Sequence, residues 1–328
     1  MFKPIIISVL LGTLCGIPAF AADEIPYADP TIFLENGTYY LTGSSAEDGF
    51  KMLQSDDLKH WRPVDNGNDG YILRRGDRVF GTYCFWAPQI YKEGGKYYLT
   101  YSAEGKICVA ESDIVTGPYI QREVRPVGDW DEMNIDTYLF RDNDGKHYMY
   151  HARYKQQGDL GGNTIYVMGY DLDSNREEAG TLRLCAEVSE PWELTENGRK
   201  FGNKTLEGPT VIKLDGKYYL FYSANDYQST DYAVGYAVAD SPYGPWTKNE
   251  GNPIIHRSLV GENGAGHGDF FNGKDGRAYY VYHVHASDTD VHPRKVRIVP
   301  LKIEKDKSNG IYSISADTSG IIYPVVSK

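Results

Sequence analysis

Positive charge is scarce in this chain. Its 328 residues carry 34 Lys and Arg against 45 Asp and Glu, a formal net charge of −11 at pH 7, and no basic block interrupts it. Nucleic-acid binding is driven by phosphate neutralisation, so that partner class is excluded. A polyanionic substrate is disfavoured rather than excluded, because a local basic cleft can sit inside an acidic total. Cysteine is nearly missing as well. Of the four, Cys15 lies in the leader, while Cys84, Cys108 and Cys185 are an odd set spread over a large domain; at most one bridge can form, and no disulfide framework carries the fold.

Long apolar runs are absent after the first residues. Ile5 to Leu14 follows Lys3 and precedes Ala19-Phe20-Ala21, a pattern too short for a membrane span and matching a secretory leader. Residues 1–21 are therefore assigned to a signal peptide, with export to the periplasm or beyond. Leu14 stands where lipidation of Cys15 would need a small residue, so cleavage near Ala21 is expected instead of a lipid anchor.

What is plentiful is tyrosine (28) and glycine (35), a composition of short strands and tight turns. The stretch EGPTVIKLDGKYYLFYSA from Glu207 returns as DPTIFLENGTYYLTGSS from Asp29, WAPQIYKEGGKYYLTYSA from Trp86, DTYLFRDNDGKHYMYHAR from Asp136 and HGDFFNGKDGRAYYVYHV from His267. Each copy centres on a dipeptide suited to a two-residue hairpin turn: Asn36-Gly37, Gly94-Gly95, Asp144-Gly145, Asp215-Gly216 and Asp275-Gly276. The turn glycines recur every 50 to 71 residues, room for a four-stranded blade, and outer strands are expected in GFKMLQSDDLKHW, ICVAESDIVTGPY, TIYVMGYDLDSN, YAVGYAVADSPYGPW and KVRIVPLKIEKDKSNGIYSI. The expected fold is all-β, a five-bladed β-propeller filling residues 22–328 as one catalytic domain. A string of immunoglobulin-like sandwiches is the alternative, but it lacks such a repeat.

The repeats keep their bodies and change their heads. Asp29, Trp86, Asp136, Glu207 and His267 lie 8 or 9 residues before their turn glycines, so they are expected at equivalent strand starts, converging on one mouth of the central channel. Crowded carboxylates repel and, when desolvated, bind protons; function is the compensation that would keep three of them together. Taken singly, each carboxylate could merely bond local amides at a strand start, and Trp86 could be a core aromatic. The glycines flanking His267 imply close backbone approach or an unusual turn.

These heads and bodies resemble glycoside hydrolase family 43, secreted five-bladed propellers that cleave arabinose-, xylose- or galactose-containing plant polysaccharides, and the likeness runs across the mature chain. The resemblance implies that Asp29 in YADPTIF is the general base, Glu207 in LEGPTVI the general acid, and Asp136 in NIDTYLF the residue that tunes and orients the acid. It implies a sugar-facing role for Trp86 in the WAP motif, and a place for His267 in GAGHGDF over a channel ion, often calcium, or a water cluster. No organic cofactor is implied. An inverting glycosidase needs one carboxylate to activate water and a protonated carboxyl to protonate the leaving oxygen; Asp136, as a further negative charge, should raise the acid's pKa.

Arg294 in VHPRKVRIVPL resembles a late arginine that some members use in the sugar pocket, with Arg297 as its rival and a solvated strand-end charge as the plain alternative. Phe85 either lines the same pocket or packs in the core. His283 and His285 share a strand face; a satisfied blade histidine is the expected reading over a metal ligand. Asp142-Asn143-Asp144-Gly145 is read as a turn, not a calcium loop.

The expected activity is that of an exo-acting α-L-arabinofuranosidase, with β-xylosidase, endo-arabinanase and exo-β-galactanase as alternatives. A non-catalytic carbohydrate-binding propeller is the second class. A fructan-cleaving relative would need Asn-Asp-Pro and Arg-Asp-Pro heads, which are absent.

Overall fold

The computed structural model describes residues 23–327; the expected leader over residues 1–21, with Cys15, lies outside them. All five repeats form hairpins, each the inner half of a blade. Blade 1 pairs Ala28–Glu35, Thr38–Ser44, Leu53–Ser55 and His60–Pro63. Blade 3 runs from Asn134–Arg141 through His147–Gln157 and Leu160–Asp171 to Arg176–Glu177, with Arg183–Ala186 also pairing the third strand. Blade 4 is Leu206–Leu214, Lys217–Ala224, Ala233–Ala239 and Thr247–Lys248, and blade 5 is Gly266–Asn272, Ala278–Val284, Lys295–Lys305 and Tyr312–Ala316.

Blade 2 departs from the expected four strands. It has three, Trp86–Glu93, Lys96–Ala103 and Lys106–Ser112; just past ICVAESDIVTGPY, Ile120 adds only an isolated bridge to Glu111. The rest of the segment meets a small separate sheet, Gly49–Lys51 paired with Tyr71–Arg74, instead. Tyr119 donates its backbone N–H to Ile72 O at 2.8 Å and buries its ring in the cluster around Phe50 and Tyr101. Both ends of the described residues close the ring at blade 1: Val325–Val326 runs parallel to its outermost strand, and Asp23–Glu24 pairs with Val325–Val326.

Alternating apolar residues on both faces of each blade build five clusters, one per seam between neighbouring blades. Tyrosine suits these wedges because its ring fills the gap between sheets while its hydroxyl finds a polar edge. Tyr101 reaches Phe80 O at 3.0 Å and Tyr150 reaches Pro242 O at 2.7 Å. Burying each such ring is worth about 1.5–3 kcal/mol, so the seams hold the blades in fixed register around the axis. Cys84, Cys108 and Cys185 are free thiols.

Candidate active site

Every inner strand breaks register near its start. Pairing skips between Ala28 and Thr31, Trp86 and Gln89, Ile135 and Tyr138, Glu207 and Thr210, and Gly266 and Gly268. One extra residue bulges from each strand, with positive φ: Asp29 (49°), Ala87 (45°), Asp136 (57°), Gly208 (59°) and His267 (40°). These five form the upper ring of a narrow channel of about 20 Å³, room for about one water. Below them lie Pro30, Pro88, Thr137, Pro209 and Gly268, then Thr31, Gln89, Tyr138, Thr210 and Asp269.

The expected equivalence of the five heads is therefore corrected. Asp29, Asp136 and His267 are ring members, whereas Trp86 and Glu207 stand one residue before the bulge. Hairpin length is the cause. Blades 1, 2 and 4 turn in two residues with both at positive φ; blades 3 and 5 use three-residue loops closed by Gly145 N–H to Asp142 O and Gly276 N–H to Gly273 O, with only the glycine at positive φ. Counting back from the glycine thus overshoots by one in blades 2 and 4.

The bulged N–H groups need partners, and the second strand of the preceding blade supplies them. Ser44 Oγ accepts from Ala87 at 3.0 Å, Ser102 Oγ from Asp136 at 3.0 Å, Ser223 Oγ from His267 at 2.8 Å, and His283 Nδ1 from Asp29 at 3.1 Å. Blade 3 has Ala152 at that register, so the Gly208 N–H turns to Asp136 Oδ2 at 3.3 Å. That bond aims the Asp136 carboxyl toward the fourth blade. Gly208 itself has no room for a side chain, since a Cβ would sit 2.8 Å from the His267 ring.

Asp29 and Glu207 occupy opposite electrostatic settings. Burial pushes Asp29 up, but Arg294, His267, His283 and the Ser44 hydroxyl outweigh it and hold the carboxyl well below the usual range. Arg294 Nη1 lies 3.2 Å from Oδ1, and Ser44 Oγ donates to Oδ2 at 2.6 Å. His267 and His283 are themselves shifted down, chiefly by burial, so at neutral pH the fixed charge beside Asp29 is Arg294. Burial also pushes Glu207 up, to about 7, against a hydroxyl bond from Tyr232 and with the charges of Asp226 and Asp29 adding to the rise. Tyr232 Oη donates to Oε1 at 2.7 Å and Asn163 Nδ2 to Oε2 at 3.1 Å. Asp136 is raised as well, by burial and then by Glu207 and Asp29.

The remaining expected residues divide. Trp86, 37% exposed, lines an open pocket of about 800 Å³ together with Tyr83, His292 and Arg294. Arg294 belongs to the site, its guanidinium 4.7 Å over the Tyr227 ring; Arg297 is held away from it by Glu24 and Glu262. Phe85 touches the pocket but is 2% exposed, packed between Phe50 and Tyr101, so it supports the floor and offers no ring face to a sugar. His267 Nδ1 lies 3.4 Å from Asp29 Oδ1 and 3.9 Å from Asp136 Oδ2. Among the described residues no group of three or more His, Cys, Asp or Glu is disposed to hold a metal. Calcium takes six to eight oxygens, and around His267 the described side chains alone do not make up such a set. Asp142 binds Lys213 and Tyr218 as a plain turn residue, and His285 bonds Tyr227 O at 2.9 Å.

Five site residues escaped the sequence reading as functional: Asn163, Asp226, Tyr232, His283 and Asp269. Asp226 accepts from Asn203 Nδ2 at 2.6 Å, just past the strand that pairs with Glu207. Asp269, two residues beyond His267, accepts from Thr31 at 2.6 Å and Thr210 at 3.2 Å, and burial pushes it up to about 6. Its signal was a carboxylate at the third position of a head motif, where the other blades carry Thr, Gln or Tyr.

A carboxyl that holds its proton near neutrality, facing one that stays ionised, forms an acid and base pair of the kind that cleaves glycosidic bonds. Known proteins agree. The crystal structure of an endo-1,4-beta-xylanase from Bacteroides thetaiotaomicron superposes with a TM-score of 0.81 at 37% identity, covering 94% of this chain and 99% of that one. Xylosidase/arabinosidase 43A of Humicola insolens is 30% identical over 267 residues, 67% of this chain and 78% of that protein. An extracellular exo-alpha-(1->5)-L-arabinofuranosidase of Streptomyces chartreusis is 26% identical, covering 83% and 87%. The model of glycosyl hydrolases family 43 matches residues 24–308, nearly the whole propeller with all five heads, and the chain therefore belongs to glycoside hydrolase family 43 and is a glycoside hydrolase.

Proposed function

We propose that the protein is an exported, inverting exo-glycosidase that removes terminal α-L-arabinofuranosyl residues from arabinose- and xylose-containing polysaccharides or their oligosaccharides. The observation that carries the chemistry is the divergence of Asp29, held low, from Glu207, raised to about 7. In this reading Asp29 Oδ1 takes a proton from water, Glu207 gives its proton to the leaving oxygen, and Asp136 orients Glu207 through the Gly208 amide. Arg294 and Trp86 hold the sugar in the open pocket: a guanidinium can bind two hydroxyls, and an indole can stack on a ring face. Export is supported by the leader-like first residues and by the extracellular relative. Among the described residues, no helix is long and apolar enough to cross a membrane.

A second reading, β-xylosidase, is favoured by the xylanase and xylosidase/arabinosidase likenesses. Kinetics on aryl α-L-arabinofuranoside, β-D-xyloside and β-D-galactoside decide between them. The arabinofuranoside should have the highest kcat/KM; a xyloside preference moves the protein to the second reading, and turnover of none, nor of polymeric arabinan or xylan, leaves a sugar-binding propeller.

A further inference from the structure

We propose that Tyr232 and His283 act as one positioning unit, a stacked pair that fixes the spacing between the catalytic acid and the catalytic base. The proposal rests on the assignment of Glu207 and Asp29 to those roles. The two rings lie 5.7 Å apart, 19° from parallel, and both side chains are fully buried. Each holds one end of the reaction. Tyr232 Oη donates to Glu207 Oε1 at 2.7 Å, and His283 Nδ1 accepts the bulged Asp29 N–H at 3.1 Å. Blade 4 is thereby tied to blade 1 across blade 5.

The choice of residues supports a spacer. Three other blades cap the bulged amide with serine, whose short side chain stacks on no ring; Ser44 adds a bond to Asp29 Oδ2. Only where the amide belongs to the base does a histidine stand at that register, long enough to lean on Tyr232. Gly266 also lies against Tyr232, since a Cβ there would sit 2.4 Å from the ring. That contact accounts for one of the glycines flanking His267. A fully buried ring that stacks on His283 and touches Gly266 has no room to swing, so Oε1 of Glu207 is held at a set height. The groups bearing on Glu207 are Tyr232, Asn163, Asp226, Asp29 and Asp136; those bearing on His283 are Arg294, Asp29, His267 and His285.

Tyr232→Phe keeps the stack and removes the hydroxyl. Its kcat on natural linkages should fall about 10- to 100-fold, a part of what general acid catalysis supplies, and only a few-fold on aryl glycosides with good leaving groups. The Glu207 carboxyl, followed by infrared difference against Glu207→Gln, should titrate at higher pH, because the lost hydroxyl favoured the ionised form. His283→Phe keeps the stack and strips the acceptor, so kcat should fall by a similar factor on both substrate types. His283→Asn, which restores an acceptor, should recover part of it with little change in KM. Folded Tyr232→Phe with an unchanged leaving-group ratio and unchanged Glu207 titration would overturn the proposal, as would His283→Asn no better than a folded His283→Phe. If His283→Phe does not fold, Tyr232→Phe decides alone. If the parent cleaves no glycoside, the functional assignment fails, while the Glu207 titration still tests the strut.

Discussion

Arg294 Nη1 lies 3.2 Å from Asp29 Oδ1, the closest cation to the one channel carboxyl that is shifted down while Asp136, Glu207 and Asp269 are shifted up. Burial alone would drive Asp29 up with the others. In the proposed reading this ion pair is what separates base from acid, which gives Arg294 a second task besides its proposed contact with the sugar.

Removing that charge should move the acidic limb of activity. Asp29 works ionised, and its depressed pKa keeps it so well below pH 4; without Arg294, burial raises it and the acidic limb of kcat/KM moves to higher pH. Arg294→Gln should lose activity more steeply at pH 5 than at pH 7, by about tenfold for each pH unit that the limb climbs above 5. Arg294→Lys should hold the limb while raising KM, since one ammonium cannot replace a planar fork. Equal loss at both pH values in Arg294→Gln would show that the arginine only binds substrate.

Glu207→Gln tests the acid by its leaving group. Cleavage of natural linkages should fall about 10²- to 10⁴-fold, with aryl glycosides largely spared because a phenolate departs unaided. In the parent, the alkaline limb should fall near pH 7, where Glu207 gives up its proton. Asp29→Asn should impair both substrate types alike. Equal loss on both in Glu207→Gln would remove it from the role of proton donor.

The architecture was legible because its signals are local: a turn dipeptide, an apolar arm, and a period. The ring of channel residues was legible at Asp29, Asp136 and His267 but not in blades 2 and 4. Asp215-Gly216 and Asp275-Gly276 look alike in sequence, yet Asp215 adopts positive φ and Asp275 does not, and that single residue of loop length decides whether Glu207 or Gly208 faces the axis. Partners of Asp29 and Glu207 were hidden for another reason. His283 lies 254 positions from the amide it caps, and Asn163 lies 44 from Glu207; both sit on strands whose pattern reads as ordinary blade. Burial of the polar heads could be inferred from their convergence, but which of them would keep a proton depended on Arg294 and Asp226, whose places no periodicity reveals.

Asp269 should make the fold more stable in acid than at neutral pH. Its folded pKa of about 6 lies above the ordinary 3.8, so its contribution is fully present below about pH 4 and is lost as pH rises through about 6. Asp269→Asn escapes that loss. In denaturant titrations its stability should match the parent near pH 4 and exceed it at pH 8, by an upper limit of roughly 3 kcal/mol. A gain that does not grow between pH 4 and pH 8 would mean that the Thr31 and Thr210 hydroxyls already offset the buried charge.

The stereochemical outcome tests how the two carboxyls divide the work. Asp29 is fixed on the channel ring by its bulged backbone, by Ser44, Arg294 and the His283 cap. Glu207 stands one residue outside that ring, on a blade across the channel. A base so anchored is suited to deprotonate a water on the sugar face opposite the scissile oxygen, the arrangement of inverting enzymes, whose carboxyls lie about 6.5–9.5 Å apart; direct attack on the anomeric carbon needs about 5–5.5 Å. Single displacement with inversion is therefore expected, with no glycosyl-enzyme intermediate. Proton NMR of the first sugar released, recorded before mutarotation, should show the inverted anomer. A retained anomer would make Asp29 a nucleophile and would require it to leave the ring of contacts that holds it.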